Sequence, residues 1–511
     1  MDTSNTLEKK DHALSDTQVA DGCYVETCSY TPEEERRVVR KLDLVILPMM
    51  CWVFFLQYLD KQSLSYASVF GLISDLKLEG RQYSWTSSIF YFGQLVSEYP
   101  FIYLMSRLPL AKFVGATVFV WGGICMCLAA PQNFAGFATV RFILGFAEGA
   151  VSPAFVTITS IWYRKSEHPI RVGIWVTMNG LAQVVGSLLM YGVGKNGSLS
   201  LQPWRVLFLI CGAMTTFFGA VFFFIVPNGV SDAWFLSPRE KEILIARMAA
   251  DREGGDRSNF SISQFKEGLL DIKSWFVFAF GLLVTLNSSP LTFASLVIKN
   301  IGYDKFDTLL YGSPSGALQI LFIWISVLGC LVFPKNRCAV VLVLIIPPLI
   351  GNILLLKLPI SAGWGVIVAS WLVSNKTRVL DQNLPLLLTS PPPTGQASLI
   401  SDIMTIILSL SASNVKGNTK RAMVNTFFFI GYCVGCIAGP QAWTKAPRYL
   451  AGVILDIVIW CLLFVAISGY WYVCSRDNAR RDREQSSGGA VIDSEGIDMT
   501  DKEDQSFRYS Y

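Results

Sequence analysis

Charge is scarce in this chain: Asp, Glu, Lys and Arg make up 16% of its 511 residues, and histidine occurs only twice. No Lys/Arg run is long enough to follow a phosphate backbone, so nucleic acid is not an expected partner. The chain has no Gly-rich loop ending in Gly-Lys-Ser/Thr, no His-Glu-x-x-His and no dinucleotide fingerprint. ATP-driven work and familiar membrane-enzyme chemistry therefore have no motif to rest on. No enzyme, cofactor or metal centre is expected. The 12 cysteines lie mostly inside apolar runs, Cys51, Cys125, Cys211 and Cys330 among them, and read as small packing residues. Cys433-x-x-Cys436 has no histidine near it and reads the same way. A cleavable signal peptide is not expected either, because residues 1–41 are polar and the first apolar run can itself direct insertion.

Apolar surface is what the chain has in excess. Its hydrophobic fraction is 52% and its mean hydropathy +0.44, too apolar for a soluble protein of this length. A bilayer core requires ~20 apolar residues per helix. Segments of that kind fall at 42–70, 83–105, 111–130, 134–162, 172–194, 204–226, 274–298, 309–333, 338–356, 420–443 and 448–473, with an interrupted tenth between the last three. The expected fold is an all-α membrane protein: twelve transmembrane helices in two pseudo-symmetric six-helix bundles, 42–226 and 274–473. A polar linker, 227–273, separates them and carries a surface helix beginning at Ser237-Pro238. Residues 1–41 and 474–511 are expected as disordered tails. Loops on the N-terminal side hold most of the Lys and Arg, so both termini and the linker are expected in the cytosol. Asn196-Gly-Ser198 then becomes an extracellular glycosylation acceptor.

Four ions interrupt the apolar segments: Asp60 and Lys61 in the first, Arg141 and Glu148 in the fourth. Each costs about 2.5–3.5 kcal/mol to insert on translocon scales, and such residues persist where they face a wet cavity and act there. Arg141 and Glu148 are seven residues apart, which returns them to nearly one helix face. A carboxyl between desolvation and a neighbouring cation can bind and release a proton, and guanidinium suits carboxylates. The competing reading is a pair of internal salt bridges that hold spans one and four together. Tyr58, Tyr91, Asn179, Gln183 and Asn287 are polar residues able to orient a small solute or to hydrogen-bond between helices. Glu98, near the cytosolic end of span two, reads as a gate, with Arg107 and Lys112 in the basic turn that follows. Gly145-x3-Gly149 and Gly431-x3-Gly435-x3-Gly439 read as close helix packing.

The basic, proline-bearing turns Ser106–Lys112 and Phe333–Arg337 occupy equivalent places in the two halves, the mark of a parallel repeat. Leu59-Asp-Lys-Gln-Ser-Leu-Ser-Tyr-Ala67, Arg141-Phe-Ile-Leu-Gly-Phe-Ala-Glu148 with Pro153, Trp162-Tyr163 with Arg171, Trp204-Arg205, Ser413-Asn-Val-Lys-Gly-Asn-Thr-Lys420, Gly431-Tyr-Cys-Val-Gly435 and Gly439-Pro-Gln441 together resemble the major facilitator superfamily. Within it they resemble the anion:cation symporter branch and its fungal allantoate permease group. The resemblance covers about 38–475. It implies that Asp60 and Glu148 carry protons and that Lys61 and Arg141 meet or gate the anion. Wider relatives usually have Arg where this chain has Lys61, so direct substrate binding there loses the bidentate fork. Span five, Asn179–Gly186, lacks the glycine–proline signature usual in antiporting relatives, which favours symport.

Residues 373–396 break the tenth span with Asn375-Lys-Thr-Arg378, Asp381-Gln-Asn383 and Pro391-Pro-Pro393. Lipid does not accept such a run. Without it, 366–372 joins 397–414 as one full span, as a retained intron or a mispredicted gene model would explain; the alternative is an extracellular re-entrant loop. The functional expectation is a monomeric plasma-membrane importer that carries a small organic anion with a proton by alternating access. Allantoate or another ureido acid, or a nicotinate- or pantothenate-like carboxylate, are the expected cargo. A non-transporting nutrient sensor of the same fold, or an inactive product of the interrupted span, are the alternatives.

Overall fold

The computed structural model describes residues 18–20, 23–25, 30–149, 151–164, 167–196, 200–249, 261–287, 304–310, 314–333, 336–357, most of 403–443, 450–486 and 499–511. A short antiparallel hairpin, β1 (Gln18–Ala20) and β2 (Cys23–Val25), precedes the helices. The first half is then α1 (Pro32–Val69), α2 (Leu72–Asp75), α3 (Gln82–Arg107), α4 (Leu110–Cys127), α5 (Phe134–Glu148), α6 (Val151–Trp162), α7 (His168–Lys195) and α8 (Pro203–Ile225). The linker holds α9 (Pro238–Ala249) and α10 (Ile262–Leu270). The second half continues with α11 (Ile272–Leu286), α12 (Lys305–Leu310), α13 (Pro314–Val332), α14 (Arg337–Lys357), α15 (Asn418–Ala438), a 3-10 turn (Gly439–Ala442) and α16 (Leu450–Ser486).

Among the described residues, 8 helices are long and apolar enough to cross a membrane, or 9 when α10 and α11, bent by 68°, count as one broken span. The chain is therefore a multi-pass membrane protein. The span expected at 134–162 is one candidate membrane span, Phe134–Trp162, described as α5 and α6 with residue 150 outside the described residues. After the insertion, Ile403, Ile406, Ile407 and Leu410 are buried in the second core at helical spacing. The insertion itself, 373–396, lies outside the described residues.

Three expectations need correction. The tail expected over 1–41 is helical from Pro32, because Thr31 and Glu34 form a reciprocal capping box ahead of a proline in the first turn. The linker carries two helices where one was expected. The second, α10, is capped by the Ser261 hydroxyl, which accepts from Gln264 N–H. The tail expected over 474–511 is helical to Ser486, and 499–511 is packed against the second bundle.

A Trp-rich apolar core fills the first half with Trp121, Trp162 and Trp204 and continues into Leu309, Ile323, Val327 and Trp443 of the second, which also has a core of its own. The halves meet along α7 and α13, where Gly180 and Gly316 leave room for the two backbones to touch. They meet again between α3 and α15. The Ser88 hydroxyl donates to the Ile437 carbonyl at 2.7 Å and accepts from the Gln441 amide at 2.9 Å. Both of these contacts lie in the halves of α3 and α15 remote from the face where α1 begins, called below the terminal face.

Candidate functional site

The four intramembrane ions come together, though not in the pairs that sequence spacing suggests. Asp60 and Lys61 are neighbours on α1, and neighbours on a helix point about 100° apart. Lys61 turns toward α5, where its ammonium lies 2.9 Å from Glu148 Oε1. Asp60 turns the other way, between α4 and α8. It accepts from the Cys125 thiol and the Thr215 hydroxyl, both at 3.5 Å. The expected Asp60–Lys61 and Arg141–Glu148 pairs are thus replaced by one cross-helix pair, Lys61–Glu148. Glu148 is fully buried; its Oε1 holds the Lys61 ammonium, and its Oε2 has no hydrogen-bond partner among the described residues.

Arg141 is 2% exposed. It lies over the Phe137 and Phe208 rings, at 5.8 and 6.0 Å, and within electrostatic reach of both Asp60 and Glu148. Its Nε and Nη2 groups have no hydrogen-bond partner among the described residues. A buried guanidinium with two donors unfilled among the described residues, on the helix that carries a buried carboxylate, is an arrangement that natural cores avoid without a reason.

Glycine positions these groups. A side chain at Gly145 would collide with the Phe90 carbonyl, and one at Gly93 with the Phe142 carbonyl. Their absence lets α3 cross α5 at backbone contact, as the sequence spacing predicted for Gly145. Phe90 then lies under Lys61, 5.8 Å from its ammonium. Tyr91 comes within electrostatic reach of Glu148.

The remaining expected residues divide. Tyr58 is buried on α1 near Tyr66. Asn179 is buried on α7, and its carbonyl oxygen has no partner among the described residues. The Gln183 backbone carbonyl accepts from the Tyr66 hydroxyl at 3.1 Å, a tie between α7 and α1. Asn287 ends α11, where it donates to the Leu283 carbonyl at 3.4 Å and leaves its own oxygen unfilled. Glu98 is buried on α3 near Cys433 of the other bundle. Lys112 does not bridge the bundles: its ammonium binds the Phe223 carbonyl and its N–H the Asn228 side chain, both at the end of α8. Arg107 lies 5.7 Å over the Tyr103 ring of its own helix. Asn196 is exposed just beyond α7; Ser198 lies outside the described residues.

Sequence reasoning missed the second bundle's side of this site. Tyr432 of α15 meets Tyr91 edge to face, 6.1 Å between centroids and 73° between planes. It too lies within electrostatic reach of Glu148. Cys433 and Cys436, read above as packing, are fully buried against Lys61 and Tyr91. The available signal was Gly431-x3-Gly435, which marks a closely packed face. It marks the face toward α11, where Gly431 meets the Phe278 carbonyl and Gly435 the Leu282 carbonyl, and so points away from Tyr432.

Charge also collects at the terminal face, in two separate cages. In the first half, Arg247 of α9 is 1% exposed and binds Glu35 at 2.7 Å and Glu167. Arg164 adds a second cation to Glu35 at 2.9 Å, and Arg171 binds Asp43 at 3.1 Å. In the second half, Lys420 lies among Glu267, Asp271 and Asp501 at 2.8, 2.8 and 2.7 Å. These three carboxylates have the spacing of a metal site, and an ammonium fills it. Burial alone would raise the Asp271 carboxyl, but the charge and hydrogen bond of Lys420 outweigh it and hold it below its ordinary range.

Comparisons with known proteins identify the family. Residues 50–440 match the model of the Major Facilitator Superfamily. An uncharacterized transporter of Schizosaccharomyces pombe is 35% identical over 489 residues, 94% of this chain and 90% of its own. The allantoate permease of Saccharomyces cerevisiae is 31% identical over 497 residues, 94% of this chain and 87% of its own. Among solved structures, a bacterial homolog of the human lysosomal transporter Spinster, inward-facing and unoccupied, superposes with a TM-score of 0.58 at 14% identity, covering 88% of this chain and 98% of its own. The chain is a member of the major facilitator superfamily, a family of transporters and not of enzymes.

Proposed function

We propose that this protein is a proton-coupled symporter that imports a small organic anion across the plasma membrane as a monomer, with both termini in the cytosol. The similarity to an allantoate permease supports a carboxylate cargo of that size, a ureido acid or a nicotinate- or pantothenate-like acid. The observation that carries the reading is the buried Lys61–Glu148 pair beside the unfilled guanidinium of Arg141.

That arrangement makes proton and anion depend on each other. A proton on Glu148 with no anion present leaves the partly buried Lys61 ammonium unpaired, which carries a desolvation cost. An anion arriving with no proton sets two carboxylates on one ammonium. Together they cancel: the proton neutralises Glu148, and the cargo carboxylate takes its place on Lys61 within reach of the Arg141 fork. Asp60, held by a thiol and a hydroxyl and by no cation at hydrogen-bond distance, is the second proton carrier. The contacts of Ser88 with Ile437 and Gln441 close the far, extracellular side of α3 and α15, which suits an inward-facing state. Tyr91 and Tyr432, one from each bundle, then line the cargo's path.

The test is uptake of labelled allantoate, nicotinate and pantothenate into cells that lack other permeases, from acidic and from neutral medium. Accumulation of at least one compound should rise in acidic medium and collapse with a protonophore. Accumulation that ignores both pH and protonophore would rule out proton coupling.

A further inference from the structure

Residues 499–511 lie in a cradle built to receive a peptide. Two asparagines each grip the backbone of one strap residue in both directions. Asn478 accepts from the Tyr509 N–H and donates to its carbonyl, both at 2.9 Å. Asn414 does the same for Ser510, both at 2.7 Å. Arg481 donates to the Asp501 and Phe507 carbonyls, each at 2.6 Å. The Tyr509 ring covers the Lys273 ammonium at 3.8 Å, and its hydroxyl donates to Asp501 at 2.8 Å. Asp501 reaches Lys420 at 2.7 Å, Asp504 reaches Lys416 at 2.5 Å, and Thr500 donates to Glu267 at 2.8 Å. The strap therefore ties α10, the start of α11, the segment before α15, the foot of α15 and the end of α16. Asn414, Lys420, Arg481, Asp501 and Tyr509 are all buried by it or beneath it. A disordered tail has no use for such a receptor.

One strap hydroxyl remains outside. Ser506 is exposed, yet its Oγ donates to Asp504 Oδ1 at 2.6 Å and its N–H to the same oxygen at 2.9 Å. The other oxygen of Asp504 is the one that binds Lys416. A phosphate on Ser506 would remove the donated proton and set nearly two negative charges beside Asp504. Asp501 and Glu503 already load this short segment with negative charge, and a phosphate next to carboxylates disrupts by repulsion.

We propose that residues 499–511 are a releasable strap and that Ser506 is its release site. A kinase moves the terminal phosphoryl group of a nucleoside triphosphate onto Ser506 Oγ. The hydroxyl proton passes to the kinase base and the nucleoside diphosphate leaves. The strap then undocks, Asp501 leaves Lys420, and the feet of α11, α15 and α16 lose their common tie, which slows import. Access by a kinase rests on the cytosolic placement of the termini proposed above; docking itself does not rest on transport.

Hydrogen exchange on the full chain in lipid nanodiscs tests docking without reference to any cargo. The Tyr509 and Ser510 amides should be protected in the wild type and in Ser506→Ala. In Ser506→Glu they should exchange about ten- to a hundredfold faster, the loss expected when one charge-assisted contact is broken. Unchanged protection in Ser506→Glu, or strap amides that exchange in the wild type as fast as in the free peptide, would overturn the proposal. Mass spectrometry of the chain from its own cells, grown nutrient-rich and nutrient-poor, should find phosphate on Ser506 in one of the two conditions. Its absence from both would overturn the release site, whatever uptake assays show.

Discussion

The two bundles keep their charge in different places. In the first, four ionisable side chains lie at mid-span, and the closest pair, Lys61 and Glu148, joins two helices at 2.9 Å. In the second, α11 and α14 carry buried amides, Asn287 and Asn352, α16 carries a single buried carboxyl, Asp456, with no hydrogen-bond partner among the described residues, and the dense charge lies at the terminal face around Lys420. Charge at mid-span is costly and confers little stability, so it belongs where chemistry happens. The charge around Lys420 is buried too, but there each group has an opposite partner at 2.7–2.8 Å, and the cluster holds helix ends together. On the function proposed above, the first bundle would hold the proton and the anion, while the second contributes a wall, Tyr432 with Cys433 and Cys436, and a braced base.

That contrast can be broken on either side. The largest effect is expected at the terminal face. Lys420→Met leaves Glu267, Asp271 and Asp501 facing one another with no ammonium among them. Losing one partner of a buried ionic cluster costs about 3–5 kcal/mol. The purified protein should unfold at a clearly lower temperature, with the pH dependence of residual uptake unchanged. Arg141→Gln comes next, and it should do the opposite: near-normal unfolding temperature, and uptake reduced about ten- to a hundredfold, the worth of a lost charged hydrogen bond of ~1.5–3 kcal/mol. Lys61→Arg should change uptake by less than about tenfold, because the cation beside Glu148 is kept and only its reach and shape change; a full loss of uptake would show that a compact ammonium is required there.

The smallest effect sharpens the comparison by its absence. Burial alone would raise the Asp504 carboxyl, but the hydrogen bonds from Lys416 and Ser506 outweigh it and hold it below its ordinary value of 3.8. A group lowered on docking stabilises the docked strap above that ordinary value, and the contribution fades only as pH falls through the lower, docked value. Mildly acidic medium, the condition that should drive import, should therefore leave strap protection unchanged. Hydrogen exchange of the Tyr509 amide at mildly acidic and neutral pH, corrected for the intrinsic rate, checks this.

Most of the architecture was legible because apolar length and loop charge are local properties of a sequence. The first bundle's ions were legible for the same reason: an Asp, a Glu, a Lys and an Arg inside apolar runs stand out singly. Which of them pair was not legible, since Asp60 and Lys61 are adjacent in sequence and a helix sends adjacent side chains to different neighbours. Tyr432 escaped notice because an aromatic on an apolar helix looks like core; its role depends on α3 lying opposite, a contact 341 positions away in sequence. The strap escaped for a different reason. Its run Thr500–Ser506 is entirely polar, as in a disordered tail, and what orders it is supplied by Asn414, Asn478 and Arg481, which give no local sign of being a receptor.

The central claim is that the Lys61–Glu148 pair opens for an anion only when Glu148 takes a proton. Glu148→Gln makes that residue permanently neutral, so the direct measurement is cargo accumulation against cargo exchange in this variant, reconstituted in vesicles. Accumulation driven by a pH gradient should vanish while exchange of internal for external cargo persists. Accumulation that survives at the wild-type level, or exchange lost as completely as accumulation, would contradict the account.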